Sequence, residues 1–117
     1  MDPVIWRGMT RAELDAAYNN SAAAENSAEK IAEWTSRSAK TRARPGALLD
    51  VVYGPRPNNR IDIFPCGGAR APLFVFIHGG YWQRNSKEPF ACMAAGPLAN
   101  GFDAALIGYT PWLRNRR

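Results

Sequence analysis

At 117 residues, of which 46% are hydrophobic and 11% aromatic, the chain is long enough for one small globular domain and too apolar for a disordered protein. Its formal charge is +5, but Arg114, Arg116 and Arg117 contribute three positive charges within the last seven residues, and no basic stripe interleaved with aromatics occurs, so we expect no nucleic-acid partner. No apolar run reaches membrane-spanning length and the two cysteines are expected as free thiols, which makes the cytoplasm the default location and excludes a membrane partner.

The N-terminal part of the chain is predicted to be helical. Residues 10–13 read Thr-Arg-Ala-Glu, a capping-box pattern that opens a short helix, and the Asn-Asn pair at 19–20 ends it. A second helix is predicted to begin near residues 26–27, with Trp34 as a core anchor on its apolar stripe. We therefore predict a helical arm over residues 1–45.

The middle of the chain has the pattern of a mixed α/β sheet. Leu48–Tyr53 and Arg60–Phe64 are predicted as an antiparallel hairpin, and the second strand alternates Ile with Arg and Asp, as half-buried strands do. Leu73–Ile77 is a continuous apolar run, typical of a strand buried on both faces in the middle of a parallel sheet. A helix over residues 86–100 and a buried strand over Ala104–Tyr109 then complete a parallel strand–helix–strand crossover.

The crossover helix carries its own start and stop signals. Ser86 is a predicted N-cap, and Asn100-Gly101 is a predicted stop. Pro97 falls late in the helix and should kink or shorten it. The side chains predicted to face the sheet recur at helical spacing and are Phe90, Met93, Ala94 and Leu98.

Two glycines follow the apolar strand at its carboxyl end, the edge where ligands of open α/β sheets bind. Gly79 and Gly80 carry no Cβ, so their backbone N–H groups can point outward and hold an anion or a developing oxyanion. His78 is the single histidine of the chain, and such a residue at a strand end is more often structural than catalytic. Tyr81 and Trp82 could be packing aromatics, or they could line an acyl or aryl pocket.

The run His78-Gly79-Gly80-Tyr81-Trp82 behind a five-residue apolar strand resembles the oxyanion loop of the α/β-hydrolase superfamily, in the form of the kynurenine formamidase type of esterase. The resemblance implies an α/β fold in which residues 46–110 form the N-terminal half of an α/β-hydrolase sheet, preceded by the helical arm. It implies hydrolysis of an ester or N-formyl amide through a serine, with no cofactor and no metal. Gly79, Gly80 and Tyr81 would offer backbone N–H groups to the oxyanion, Tyr81 and Trp82 would contact the substrate, and His78 would order the loop rather than act as base.

The superfamily's nucleophile is a serine in a Gly-x-Ser-x-Gly elbow, followed by an acid and a histidine. That elbow pattern is absent around every serine, namely Ser21, Ser27, Ser36, Ser38 and Ser86. We therefore expect this chain to be inactive by itself. In the family the strand that ends near Tyr109 continues into Leu-Ala-Pro-Glu, and a frame shifted by two bases permits that sequence here. We expect residues 111–117 to be an aberrant basic tail from a frameshift, with a genuine short protein as the alternative.

A rival prediction is a non-catalytic fragment or interaction module that docks through an open sheet edge. In the family's strand order, Leu73–Ile77 pairs with the Ala104–Tyr109 strand on one side and with a strand that this sequence lacks on the other. We therefore expect the isolated chain to aggregate or to stay molten without a partner. The residues leave the identity of the substrate and the oligomeric state open.

Overall fold

The computed structural model describes residues 2–80 and 84–112. Tyr81 and Trp82 lie outside the described residues, as does most of the predicted tail at 111–117. Contacts between residues divide the chain into two compact units, Met1–Ile31 and Ala32–Arg117. The domain boundary predicted at residue 45 stays a prediction. Within the described ranges, no helix is long and apolar enough to cross a membrane.

The first unit contains a strand pair that the sequence analysis did not predict. Its elements are β1 (Val4–Trp6), β2 (Met9–Thr10), α1 (Arg11–Ala17) and α2 (Asn20–Ala23), and β1 pairs antiparallel with β2. The predicted capping box is present. The Glu13 N–H donates to Thr10 Oγ1 at 3.3 Å, and the Glu13 carboxylate accepts the Thr10 N–H at 2.8 Å. The start predicted for the first helix is therefore confirmed.

The hairpin and the crossover are also confirmed. The further elements are α3 (Ser27–Arg42), β3 (Leu48–Val52), β4 (Arg60–Phe64), β5 (Leu73–Ile77), a 3₁₀ helix (Glu88–Ala94), α4 (Ala95–Ala99) and β6 (Asp103–Ile107). The sheet has the order β3-β4-β6-β5, with β3–β4 and β4–β6 antiparallel and β5–β6 parallel. The fold is α/β, with an antiparallel hairpin followed by a parallel strand–helix–strand crossover.

Strand β5 differs from the prediction of burial on both faces. It lies at the edge of the described sheet, with β6 as its neighbour. Phe74 and Phe76 pack on the core, whereas Leu73, Val75 and Ile77 are 57%, 49% and 57% exposed. The prediction of full burial is wrong for this chain, because no element among the described residues covers the second face. The predicted open, apolar sheet edge is present.

The crossover is a 3₁₀ helix and a short α-helix rather than one continuous α-helix. Pro97 lies within α4, which continues to Ala99, so it does not shorten the helix, and the alternative of a kink stays a prediction. Cys92 is buried, Met93 is half-buried, and Phe90 is half-buried and packs against the core, as predicted. The core between crossover and sheet is small and consists of Phe64, Ala91, Ala94, Leu98, Ala104 and Leu106.

Helix α3 is buried through polar side chains rather than through the predicted apolar stripe. Its buried residues are Ser38 and Thr41, and Trp34 is half-buried. The Ser38 hydroxyl donates to the Pro89 carbonyl at 2.8 Å and accepts the Cys92 N–H at 2.9 Å. These two bonds attach the C-terminal part of α3 to the start of the crossover.

Candidate functional site

The predicted oxyanion loop begins where β5 ends. Gly80 has a φ of +135°, a conformation that side chains rarely adopt. A Cβ at this position would lie 2.3 Å from the Arg84 carbonyl oxygen, a backbone atom that cannot easily move. Position 80 therefore requires glycine, both for its dihedral angle and for the close approach of the chain. At Gly79 the same construction meets open space.

The loop is held through its carbonyl groups. The Gly79 oxygen lies 2.9 Å from His78 Nδ1 and 3.0 Å from Asn85 Nδ2, and the Gly80 oxygen accepts the Arg84 N–H at 3.2 Å. Neither the Gly79 nor the Gly80 N–H donates a hydrogen bond to another residue that the structure describes. Two backbone donors at the carboxyl end of the sheet are thus not engaged by the described chain.

His78 is enclosed at the end of β5, with 3% of its surface exposed. Its ring stacks on Tyr109 with centroids 4.3 Å apart and on Phe90 at 5.9 Å. Donation from Nδ1 to the Gly79 oxygen requires the Nδ1–H tautomer, which makes Nε2 an acceptor. Nε2 is buried and has no hydrogen-bond partner among the described residues. The Tyr109 hydroxyl donates to the His78 carbonyl at 2.9 Å.

Of the five predicted site residues, the structure brings three together in one loop. His78, Gly79 and Gly80 are adjacent at the end of β5, and the contact between His78 Nδ1 and Gly79 is of the kind expected for loop ordering. Their roles in catalysis stay predictions. Tyr81 and Trp82, the predicted substrate contacts, lie outside the described residues.

A small cavity of about 100 Å³ lies beside the loop. His78 and Tyr109 line it from the strand ends. Asn85, Ser86 and Lys87 line it from residues 84–87, the segment that we call the return of the loop. Since a water molecule occupies about 30 Å³ of liquid, the cavity has room for a few waters. This cavity is smaller than the roughly 300–1,000 Å³ of typical ligand pockets.

A cluster of ion pairs that the sequence pattern did not predict includes Lys87, at the end of the return of the loop, and Glu88 after it. Asp62 on β4 is 0% exposed, although its strand alternates as if only the isoleucines were buried. Its carboxylate contacts Lys87 Nζ at 2.8 Å, bonds Arg42 Nη1 and accepts the Asp50 N–H at 2.9 Å. Lys87, whose side chain is 4% exposed, also contacts Asp50 at 2.6 Å and Glu88 at 3.0 Å. The cluster joins α3, β3 and β4 to the residues that follow the loop.

The hydrogen bonds of the cluster favour the charged forms of Asp50, Lys87 and Glu88. The bond from Lys87 lowers the pKa of Asp50. Burial alone would raise the pKa of Glu88, but hydrogen bonds from the Ser86 hydroxyl, a backbone N–H and Lys87 lower that pKa to about 2. Burial alone would lower the pKa of Lys87, but its bonds to Asp50, Asp62 and Glu88 raise that pKa above 10.5.

In the part of the chain that the structure describes, no group of three or more His, Cys, Asp or Glu residues is arranged to hold a metal ion.

The chain is similar to known proteins in sequence and in fold. The chain is 26% identical over 113 residues to the kynurenine formamidase of Danio rerio, a match that covers 90% of this chain and 39% of that protein. A stretch of 63 residues, 53% of the chain, is 38% identical to 17% of the kynurenine formamidase of Drosophila melanogaster. The crystal structure of a thioesterase-like protein from Silicibacter sp. TM1040 matches with a TM-score of 0.78 and 34% identity, over 85% of this chain and 38% of that one.

The chain resembles the kynurenine formamidases in sequence and the thioesterase-like protein in fold. The resemblance and the fold predicted from the sequence are thereby confirmed. The chain spans about two fifths of the length of two fish kynurenine formamidases that it matches, 39% and 38%. No protein-family model matches it.

Proposed function

We propose that this relative of the formamidases supplies the oxyanion-hole part of an α/β-hydrolase that cleaves an ester or an N-formyl amide. The observation that carries the proposal is the loop at the carboxyl end of β5, where the N–H groups of Gly79 and Gly80 have no acceptor among the described residues. The similarity to formamidases and to a thioesterase-like protein supports attack on a carbonyl carbon as the reaction class.

The proposed reaction proceeds through two tetrahedral intermediates. A serine oxygen attacks the substrate carbonyl while a base takes its proton, and the carbonyl oxygen becomes an oxyanion. The N–H groups of Gly79 and Gly80, with Tyr81 as a further predicted donor, stabilise that charge. The first intermediate collapses and expels the alcohol or amine, which takes up the proton held by the base. Water then attacks the acyl-enzyme and releases the carboxylic acid. The serine and its base come from outside these 117 residues, since no serine here has the elbow pattern.

His78 serves this reaction by holding the loop and not by moving protons. Its Nδ1 contacts the Gly79 carbonyl, and its ring is stacked on Tyr109 and Phe90. A ring fixed in this way presents no free nitrogen at the surface of the sheet, whereas a general base must reach the nucleophile. The donors of the oxyanion hole are consequently backbone groups whose orientation depends on the loop.

The test is a hybrid hydrolase in which the complete chain replaces the portion of the Silicibacter protein that it matches. We expect the hybrid to hydrolyse an aryl acetate or an N-formyl arylamine and to react with a fluorophosphonate probe, and the chain alone to do neither. Gly80→Ala should lower kcat of the hybrid by about 10²–10³-fold, as the loss of one oxyanion donor does. Gly67→Ala is the matched control, since Gly67 also has a positive φ of +89° but open space for a Cβ. Equal activity of the Gly80→Ala and Gly67→Ala hybrids would refute the proposal.

A non-catalytic role is the second candidate, and the exposed apolar face of β5 favours it. In that case the open edge of the sheet would bind an extended segment of a partner polypeptide by strand addition. An inactive hybrid, together with one-to-one binding of such a partner by the chain, would favour this role over hydrolysis.

A further inference from the structure

The orientation of the Gly80 N–H follows from that of one carbonyl group. The Gly79 carbonyl and the Gly80 N–H belong to a single planar, trans peptide unit, so they point in opposite directions. Any group that fixes the carbonyl therefore fixes the N–H as well. His78 Nδ1 and Asn85 Nδ2 both reach this carbonyl, at 2.9 Å and 3.0 Å. His78 has a predicted role in ordering the loop, but Asn85 has none so far.

The backbone conformation of Asn85 places its side chain within reach of the Gly79 carbonyl. Its φ is +76°, in the left-handed region that asparagine tolerates better than most residues. Its amide group turns back across the loop, close enough to lie 2.9 Å from the position of a Cβ on Gly80. The preceding residue, Arg84, donates its N–H to the Gly80 carbonyl at 3.2 Å. The return of the loop therefore contacts both glycine carbonyls.

The sheet in turn fixes the place of Asn85. Two residues later, the buried Lys87 contacts Asp62 on β4 at 2.8 Å and Asp50 on β3 at 2.6 Å. β4 pairs with β6 over Ile61–Phe64, and β3 pairs with β4 on both sides of an irregularity that contains Asp50. The return of the loop is thus attached to the hairpin at one end and to the glycines at the other.

We propose that Asn85 is the positioning residue of the oxyanion loop: through the Gly79 carbonyl it orients the Gly80 N–H, and Lys87 fixes Asn85 relative to the sheet. The effect on turnover rests on the proposed function. The effect on the orientation of the Gly80 N–H does not, and it can be measured without a substrate.

Two variants separate the side chain from the backbone conformation. Asn85→Asp replaces the amide donor with a carboxylate oxygen, which the Gly79 carbonyl repels. Asn85→Gly retains access to the positive φ and removes the side chain. The matched control is Asn100→Asp, because the Asn100 amide donates to the Gly96 carbonyl at 2.8 Å in α4, away from the loop.

The first measurement is the backbone amide signal of Gly80 in the complete chain labelled with ¹⁵N-glycine. The chain carries Val75→Lys, a substitution on the exposed face of β5 that we expect to improve solubility. We expect both Asn85 variants to shift the Gly80 resonance and to change its residual dipolar coupling, and Asn100→Asp to leave it in place. An unchanged Gly80 signal in both variants overturns the proposal, as does an equal shift in the control. A parent Gly80 amide with the coupling of an unstructured segment overturns it too.

The second measurement is the steady-state kinetics of the hybrid hydrolase. Both Asn85 variants should lower kcat about tenfold, the factor that the loss of one typical hydrogen bond corresponds to, with KM nearly unchanged. A merely destabilising substitution would also lower the apparent kcat at constant KM, because less of the protein is active, so kcat is calculated per active site as titrated with the fluorophosphonate probe. An active hybrid with unaltered kcat in both variants overturns the positioning role of Asn85 and leaves the proposed function standing. An inactive hybrid whose Gly80 amide still depends on Asn85 refutes the proposed function and supports the positioning role.

Discussion

The exposed face of β5 determines how the isolated chain should behave in solution. Complete burial of a Leu, Val or Ile side chain contributes about 1.5–3 kcal/mol. Leu73, Val75 and Ile77 are 57%, 49% and 57% exposed, so roughly half of that contribution, about 3 kcal/mol for the three together, is not realised. A typical domain is stable by only about 5–15 kcal/mol. The same side chains lie on an edge strand, whose unpaired backbone groups are a template for association. We expect the unmodified chain to aggregate.

The perturbation that tests this expectation is Val75→Lys. A lysine on the exposed face of an edge strand opposes pairing with another chain, because its charge would be buried. We expect a larger soluble fraction and a monomer by size-exclusion chromatography with light scattering. Ser36→Lys is the matched control, since it adds the same charge at an exposed position of α3. If the effect belongs to β5, the control should aggregate as the parent does.

Two results would contradict the reasoning. A soluble, monomeric parent chain with a sharp cooperative melt and dispersed amide signals would show that the exposed face of β5 is tolerated. An equal gain in solubility from Ser36→Lys would show that added charge, and not the edge strand, controls aggregation.

Two further predictions concern the ion cluster, and both are measured by urea unfolding of the Val75→Lys chain. Asp62→Asn should lower the free energy of unfolding by about 3–5 kcal/mol, because it removes a charged partner of the buried Lys87. Asp15→Asn, in an exposed pair, is the control and should lower it by less than about 1 kcal/mol. Equal losses in the two variants would contradict the cluster's role. Stability should be flat at neutral pH and fall at both extremes. The contribution of Glu88, with its pKa near 2, is complete above pH 4.5 and disappears as the pH falls towards 2, and that of Lys87 is complete below pH 10.5 and disappears above it. An acid limb that is unchanged in Glu88→Gln would contradict this account.

The sequence predicted those features that local patterns determine. The limits of β4 and β5 were predicted to the residue, since each is an apolar or alternating run between turn residues. The capping box at Thr10 was also correct, because it depends on residues within one turn of a helix. The position of the glycine loop was predicted because an apolar strand precedes it and a helical pattern follows it.

Long-range contacts explain what the sequence could not predict. Asp62 is buried because Arg42 and Lys87, which are distant in sequence, neutralise it, and strand alternation carries no information about such partners. Burial of β5 was overestimated because an apolar run predicts affinity for a covering layer and not the presence of that layer. The contact of Asn85 with the Gly79 carbonyl depends on a left-handed residue in a loop, and asparagine occurs in many turns without such a role.

The order of strands in the sheet also has a consequence during synthesis. The ribosome completes β5 before it makes β6, which lies between β5 and the hairpin in the sheet. At about 5–20 residues per second, the interval between the two strands lasts from about one to a few seconds. During that time the hairpin has already been made but cannot pair with β5, because the neighbour of both does not yet exist. The nascent chain therefore presents the uncharged segment Leu73–Ile77 to the cell before its partner strand emerges, and a chaperone that binds short apolar segments near the ribosome has its clearest target there.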